Sequence, residues 1–456
     1  MSLLETFLKL LDCWRPAFCK EQSFQRAKEH AVAALTCFGR HTITSIAIFL
    51  SRGLKKPSAD YKLYSLCKWN VEEIFNPLLS KCIELSDDKY IVVGVDDTKL
   101  HKTGKKIPGT SWQRDPMSPP FHVNFIWGLR FLQFSALIPL YRDGETPCRA
   151  IPVRFIDAPS LKRPGKKATP EQWQEYKELK KTHNLSHVFI KEVEALRKTL
   201  DQMKAIDKQL LIVGDGSFCN STCMSLDIPN THMIARCRRD AKLCKLCTGG
   251  KKVYDDEKFS PGEVLKNDNI PWQTKSFFYG GQWRKMRYKE VNHVVWQSGT
   301  KRKLLRLIVL EPLPYVRGGK TNYRDPAYLL TTDLEGPITK LIQAYLDRIQ
   351  IEYNFRDEKS IIGVGEAQVR NENSVEKQPA LCVAAYSALL LASIIVYRDR
   401  HHNDFGDTPE WRPPPKRITT RALIGLLRKT LLEEPEKIVE LNIPQPIIAA
   451  ILSKAA

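Results

Sequence analysis

Four residues near the carboxyl end have side-chain types and a spacing that could bind a metal ion and phosphate groups: Tyr345, Arg348, Glu352 and Lys359. They follow Pro337, and at about 100° per residue they fall in one narrow stripe of a predicted helix. A carboxylate on that stripe could hold a metal ion, and the cations beside it could hold phosphates. The alternative is an exposed helix on which Arg348 and Glu352 form an ordinary ion pair. The helix alone leaves both interpretations open.

Further carboxylates follow two predicted strands. The β-branched run from Tyr90 ends at Asp96 and Asp97, and the run from Gln209 ends at Asp215, which Gly216 follows. Sites of open α/β sheets lie at such strand ends, although acids there are also common in turns and helix caps. Two strand-end acids and one helical acid suit two Mg²⁺ or Mn²⁺ ions, which prefer oxygen ligands and catalyse phosphodiester transfer.

The composition indicates a globular protein with a polyanionic partner. Of the 456 residues, 43% are hydrophobic, and 71 Lys and Arg against 51 Asp and Glu give a net charge of +20. Such an excess favours nucleic acid or an anionic membrane surface. No apolar run approaches the roughly 18–20 residues of a membrane span, and no signal peptide is evident, so we expect no membrane partner. We expect a DNA partner and a cytoplasmic, nucleoid-associated location.

Twelve cysteines without a secretory signal suggest reduced thiols rather than a disulfide framework. Cys244 and Cys247 have the spacing of metal ligands, and Cys237 and His232 lie nearby. A second CxxC pair is missing, so idle or buried thiols are the main interpretation and a zinc site is the minor one.

The remaining pattern predicts helices at both ends around an α/β sheet. Phe24–Phe38 and Ile43–Phe49, with Thr42 as the N-cap of the second helix, have the outline of a helix-turn-helix, and a plain helical bundle is an equal alternative. Phe121–Phe131 and Leu132–Leu140 are predicted as two strands joined by a tight turn. A core helix is predicted from Pro379 to Tyr397, and a Pro-rich linker over 401–416.

Several cations lie in positions from which they could contact DNA phosphates. A basic loop over Pro159–Thr169 and the end of a predicted strand near Thr231 supply them. In the loop they are Lys162, Arg163, Lys166 and Lys167, and after the strand they are Arg236, Arg238 and Arg239.

The motifs resemble those of bacterial insertion-sequence transposases with a DDE triad and a YREK signature. The matching segments are Tyr345-x2-Arg348-x3-Glu352-x6-Lys359, Val95–Leu100, Ile212–Gly216 and Met233–Arg238. The resemblance implies a ribonuclease-H-like mixed-sheet core interrupted by an all-β insertion. It implies that Asp96, Asp215 and Glu352 hold two metal ions, with Asp97 as the substitute for Asp96. It also implies that Tyr345, Arg348 and Lys359 contact DNA.

The expected organisation has five parts: a helical DNA-binding domain at 1–85, core at 86–239, a β-rich insertion at 240–325, core again at 326–400, and a linker with a small helical tail at 401–456. We interpret the chain as a cut-and-paste DNA transposase that acts on double-stranded terminal inverted repeats and target DNA, as a homodimer on paired ends. The alternatives are a transposase-derived DNA-binding regulator without catalysis and a metal-dependent nuclease without strand transfer.

Overall fold

The computed structural model describes residues 2–50, 52, 57–86, 88–115, 118–119, 121–140, 148–247, 253–398 and 417–433. Its backbone contacts divide the chain into two compact units. The first unit contains Met1–Ser86, Asp97–Lys162 and Ile351–Ala456, and the second contains Asp87–Asp96 and Arg163–Gln350. The predicted linker at 401–416 and most of the predicted tail lie outside the described residues.

The elements follow in chain order. In the described ranges the helices are α1 (Leu3–Asp12), α2 (Glu21–Thr36), α3 (Ile43–Phe49), α4 (Ser58–Ser65), α5 (Val71–Glu84), α6 (Pro170–Thr182), α7 (Leu185–Gln202), α8 (Ser221–Met224), α9 (Pro261–Lys266), α10 (Gln297–Thr300), α11 (Ile338–Asp347), α12 (Ile349–Ser360), α13 (Glu372–Tyr397) and α14 (Thr420–Glu433). In the same ranges the strands are β1 (Tyr90–His101), β2 (Ser111–Arg114), β3 (Phe125–Pro139), β4 (Cys148–Asp157), β5 (Gln209–Gly214), β6 (Thr231–Arg236), β7 (Gln273–Tyr279), β8 (Gln282–Val295), β9 (Leu304–Leu310), β10 (Pro314–Arg317), β11 (Lys320–Tyr323) and β12 (Ala327–Thr331).

The first unit is built around the apolar helix α13, which packs against α1, α2, α4, α5 and β4. The predicted helical amino-terminal region is confirmed, and α3 begins where the sequence predicts, with the Thr42 side chain accepting a hydrogen bond from the Ser45 N–H. The helix-turn-helix interpretation of α2 and α3 stays a prediction. Helices at both ends of the chain and a mixed sheet confirm the α/β class.

The helix α13 corrects two expectations. It begins at Glu372 rather than Pro379, because the Asn371 side chain caps it by accepting from the Ser374 N–H. Pro379 lies inside the helix. The helix is also long and apolar enough to cross a membrane by length and composition, which the sequence analysis had excluded, but 83% of its apolar window is buried within the protein. Such burial is typical of a core helix.

In the first unit, the end of β1 from Asp97 onward lies beside β3. Strands β2 and β4 each pair with β3. The prediction of two strands over 121–140 is wrong, because β3 is one continuous strand. The register of β3 with β4 shifts between Phe134 and Ser135. The run has no Gly, Asn or Pro at the predicted break, so it could not form a tight turn.

The second unit contains a mixed sheet in the order β1–β5–β6–β12–β9–β8–β7, to which β1 contributes Tyr90–Asp96. Strands β1, β5 and β6 are parallel to one another, and the strands from β12 onward are antiparallel. Residues 240–325 supply the short helix α9, which precedes β7, and then β7 to β11, with the short helix α10 between β8 and β9; β10 and β11 form a separate hairpin. The division into five predicted parts stays a prediction.

The helix predicted to carry the Tyr345 to Lys359 stripe is divided into two. Helix α11 ends at Asp347 and α12 begins at Ile349, although Arg348 keeps right-handed helical angles, with φ −52° and ψ −30°. The predicted alignment of Tyr345, Arg348, Glu352 and Lys359 requires one regular helix. The predicted angles therefore apply only within α11 and within α12 separately.

A buried polar network joins the amino-terminal helices of the first unit. The ring of His30 bonds through Nδ1 to the Tyr64 hydroxyl and through Nε2 to Asp60 Oδ1, each at 2.9 Å. Arg52 donates to the same Asp60 oxygen at 3.1 Å. Burial lowers the pKa of His30. Burial alone would raise the pKa of Asp60, but hydrogen bonds and charges from His30 and Arg52 lower it overall. Asp60 is therefore the charge that holds this network together.

We expect Asp60→Ala to lower the free energy of unfolding by at least about 2 kcal/mol, because it leaves buried cationic and imidazole groups without their acceptor. Urea denaturation followed by circular dichroism measures the change. Glu84→Ala is the control, since it removes an exposed ion pair with Lys81 and is expected to change stability little. Equal effects of the two substitutions would contradict a central role for Asp60.

Candidate functional site

Two acids and an arginine lie in one row where β5 and β6 end. The prediction that the first strand ends at Asp96 and Asp97 is wrong, because β1 continues to His101 and Asp96 lies inside it. Gly94 pairs with Val213, and Gly214 pairs with Ala235. Continuing each register places Asp96 opposite Asp215, and Asp215 opposite Arg236. Paired residues of parallel strands point to the same face, with strands about 4.8 Å apart. We call these three residues the strand-end row.

Asp215 is positioned by the tight turn that follows β5. The Ser217 N–H and hydroxyl both donate to Asp215 Oδ1, at 2.8 and 2.6 Å. A Cβ on Gly214 would lie 2.8 Å from the Phe218 Cβ, so only glycine fits immediately before the acid. Phe218 is buried. The local sequence therefore fixes where the strand ends and where the carboxylate stands.

Helix α11 brings two further residues to the strand-end row. Arg348 Nη1 donates to Asp96 Oδ2 at 2.8 Å, and both side chains are mostly buried, with 15% and 17% exposure. Tyr345 has its pKa raised by burial, which the charges of Arg236 and Arg348 oppose and that of Asp215 reinforces. Tyr345 therefore lies near the Asp215 and Arg236 side of the row, and α11 packs against β5 and β6.

Asp97 has different neighbours, all in the first unit. Burial lowers the pKa of Lys359, while the charges of Glu358 and Asp97 oppose that shift. Burial likewise lowers the pKa of Arg130, against the charges of Asp97 and Asp157. Adjacent residues of an extended strand point to opposite sides. Asp96 therefore belongs to the strand-end row, whereas Asp97 lies near cations that include Lys359.

The predicted site residues are brought together in part. Asp96, Asp215, Tyr345, Arg348 and Arg236 are neighbours in the second unit. Glu352 is exposed in the first turn of α12, and Lys359 is exposed near the end of the same helix, with its ammonium 5.8 Å from the centre of the Phe355 ring. The assignments of Glu352 as a metal ligand and of Lys359 as a DNA contact stay predictions.

The other predicted DNA contacts lie on the surface. The loop cations Lys162, Arg163, Lys166 and Lys167 are exposed, as are Arg238 and Arg239. The Arg163 guanidinium lies 5.4 Å from the centre of the Trp173 ring. Arg238 forms two hydrogen bonds to Asp240, at 2.9 and 2.6 Å, so part of its charge is already neutralised.

No group of three or more His, Cys, Asp or Glu side chains among the described residues converges in a way that could hold a metal ion. This includes the cysteines near 237–247, whose zinc interpretation therefore gains no support. Asp96 and Asp215 are suitable in chemistry and register for a hard divalent cation. One oxygen of Asp96 accepts from Arg348, and one oxygen of Asp215 accepts from Ser217. A cation would have to share these acids with their present donors.

Sequence reasoning missed Arg130, which faces Asp97 in the first unit. A signal existed, because Arg130 is the only charged residue within the apolar strand β3. A lone charge in such a strand is costly unless it has a partner. Its partner could not be named from sequence, since the pairing of β3 with β1 is non-local.

We expect Arg348→Met to lower the free energy of unfolding at pH 7 by about 1–3 kcal/mol, because it leaves the largely buried Asp96 without its cationic donor beside Asp215. Adding Asp96→Asn should restore most of the loss. Denaturant unfolding followed by circular dichroism measures each change. Arg238→Met, which removes an exposed ion pair, is the control; failure of Asp96→Asn to restore the stability would argue against the Arg348–Asp96 pair as its cause.

No protein-family model matches this chain, and a search of curated proteins found no match either. The functional assignment therefore depends on the arrangement of the strand-end row and of the residues that contact it.

Proposed function

We propose that this chain is a metal-dependent DNA transposase with a ribonuclease-H-like core. The observation that carries the proposal is the ion pair of Arg348 with Asp96, on a register of β1 with β5 that, continued two residues beyond the Gly94–Val213 pair, brings Asp96 level with Asp215. Motifs 252 residues apart in sequence meet there. A structural ion pair would require one acid and one base, whereas the row sets two acids side by side.

Asp96 and Asp215 are the residues that would hold the metal, and Glu352 joins them on the strength of the sequence resemblance alone. Bound divalent cations would supply an activated water and would stabilise the charge that develops on a phosphodiester. The acids themselves orient the cations and exclude other ligands. Placing two carboxylates on rigid strand ends gives this geometry little freedom to vary.

Arg348, Arg236 and Tyr345 would bind the DNA phosphates next to the acids. A guanidinium matches two phosphate oxygens, and it forms stronger hydrogen bonds to charged acceptors than neutral donors do. Arg348 now donates to Asp96, so a cation on that acid would release the guanidinium for phosphate. The Tyr345 hydroxyl, kept protonated by burial, remains a donor.

The exposed cations extend this contact along the DNA. The loop residues Lys162, Arg163, Lys166 and Lys167 are accessible, and such groups contribute sequence-independent, salt-dependent affinity. Hydrolysis of a P–O3′ bond at an element end would leave a 3′-hydroxyl. That hydroxyl would attack a phosphorus of the target DNA, forming a new P–O3′ bond while the target's P–O3′ bond breaks and its 3′-hydroxyl leaves. Assembly as a homodimer on paired ends is part of the proposal.

One observation favours the regulator alternative. Asp96 is neutralised by Arg348, and the described residues contain no ready group of three metal ligands. A chain that only binds DNA would keep such an ion pair permanently. Catalysis requires that the pair open when metal and DNA bind.

We expect Asp96→Asn, Asp215→Asn and Glu352→Gln each to reduce DNA cleavage by at least about 100-fold while leaving DNA binding intact, because each removes a metal ligand and no phosphate contact. The substrate is linear DNA that carries the repeats flanking the gene, with Mg²⁺ or Mn²⁺. Asp97→Asn should cut far better than Asp96→Asn. Asp207→Asn, an exposed acid outside the site, is the matched control.

Product analysis separates the alternatives. Joined donor and target strands support transposition, and cut but unjoined DNA supports a nuclease. Cleavage by Glu352→Gln at the wild-type rate would remove the α12 carboxylate from the mechanism. Binding without cleavage by the wild-type protein in either metal would favour the regulator.

A further inference from the structure

Exposed aromatic side chains lie along the β2–β3 hairpin of the first unit. Trp112 is 66% exposed, Phe125 61% and Phe121 90%, and Val123 is 43% exposed. Trp112 and Phe125 share one face of the hairpin, because Trp112 pairs with Trp127 and Arg114 with Phe125, whereas Phe121 and Val123 precede β3. We call these four residues the aromatic edge. Soluble proteins seldom leave several large apolar side chains of one hairpin in water unless they bind something.

The aromatic edge is held by ordered backbone. Trp112 is paired with Trp127 across the two strands, and their rings meet edge to face with centroids 5.6 Å apart. Trp127 Nε1 in turn donates to the Gly104 carbonyl at 3.2 Å. At the loop end of the hairpin, the Asp115 N–H donates to the Asn124 carbonyl at 2.8 Å. The Trp112 ring therefore has a defined position before any partner arrives.

Cations surround the aromatic edge. The segment from Thr98 to Arg114 contains five Lys and Arg residues and no Asp or Glu. Lys105, Lys106 and Arg114 are exposed, and Lys99 Nζ donates to the Arg114 carbonyl at 2.6 Å, which ties the β1 side chain to β2. Interfaces between proteins are depleted in lysine, whereas aromatic rings among cations are typical of single-strand DNA surfaces. The charge thus complements a nucleic-acid strand.

We propose that the aromatic edge stacks on unpaired DNA bases while Lys105, Lys106 and Arg114 bind the adjoining phosphates. A base inside a duplex has both faces covered by its neighbours, so only an unpaired base can offer a face to Trp112 or Phe125. The inference rests on DNA being the partner in the proposed function, but it does not depend on catalysis. The proposal gives this hairpin a preference for DNA whose two strands are unpaired, as they are after a cut.

A different occupant is conceivable for the same surface. Strand β2 is the outer strand of its sheet, beyond which no described strand pairs, and such edges can receive a strand from a second copy of the chain. That arrangement would cover the aromatic edge by dimerisation. The experiment therefore includes the oligomeric state.

We expect the full-length protein to bind a fluorescent single-stranded oligonucleotide, or a duplex with an unpaired loop, more tightly than the fully paired duplex. Trp112→Ala should weaken binding to unpaired DNA by about fivefold or more and leave duplex binding within about twofold. Trp112→Phe should restore most of the loss, since it keeps an aromatic face. Fluorescence anisotropy titrations in the absence of metal measure all of these.

Three comparisons keep the result decisive. Phe121→Ala tests the same surface without risk to folding, because that ring is almost wholly exposed, and Ile206→Ala is the matched control at an exposed apolar residue elsewhere. Lys105→Ala should weaken both DNA forms alike and lower the salt dependence. Equal losses on both DNA forms with Trp112→Ala, or a changed oligomeric state with unpaired-DNA binding intact, would overturn the proposal. The binding titrations need no cleavage, so cleavage retained in the acid variants would count against the transposase proposal and leave this one untouched.

Discussion

The parallel pairing of β1, β5 and β6 is the constraint on which the rest of the second unit depends. Parallel strands finish at the same edge, so side chains that follow them are forced into neighbouring positions. Continued beyond the paired residues, the shared register places Asp96, Asp215 and Arg236 side by side. A shift of one residue in either pairing would turn an acid to the other face. The apolar strand interiors therefore determine the chemistry of the strand ends.

That arrangement is electrostatically unfavourable, and neighbouring cations offset the repulsion between the two acids. Two adjacent carboxylates repel each other in a partly buried setting. Arg348 donates to one of them, and Arg236 stands beyond the other. The acid pair is thus balanced by groups that can also bind phosphate. A divalent cation would balance it better, and this is why the row suits a site that exchanges an arginine for a metal.

The sequence was sufficient for the parts of the structure that local patterns specify. The strand β5 that Asp215 follows and the Thr42 cap follow from the apolar pattern and from capping. The apolar run of the first strand is also predicted, but its end is not, because β1 continues past Asp96 to His101. The choice between Asp96 and Asp97 did not follow from these patterns, because it depends on which side of β1 faces α11. The long strand β3 was divided in error, since its pairing with β4 is non-local and leaves no mark in its own residues. The break at Arg348 could not be seen in the sequence either, because the backbone angles of that residue remain helical.

Net charge alone overstates how much cation is available to DNA. Lys102 is buried, and its ammonium donates to the carbonyls of Gly365 and Ala367, each at 2.7 Å. Lys289 is likewise buried, and it donates to the carbonyls of Leu265 and Asn267 at 3.1 and 2.7 Å. Such cations stabilise loops and cannot release counterions from a phosphate chain. In the proposed function, attraction to DNA comes from exposed groups such as those of the loop over 162–167 and of the hairpin of the aromatic edge. Affinity from those groups should fall with salt, whereas the chemistry proposed for the strand-end row is carried by largely buried charges that salt screens weakly.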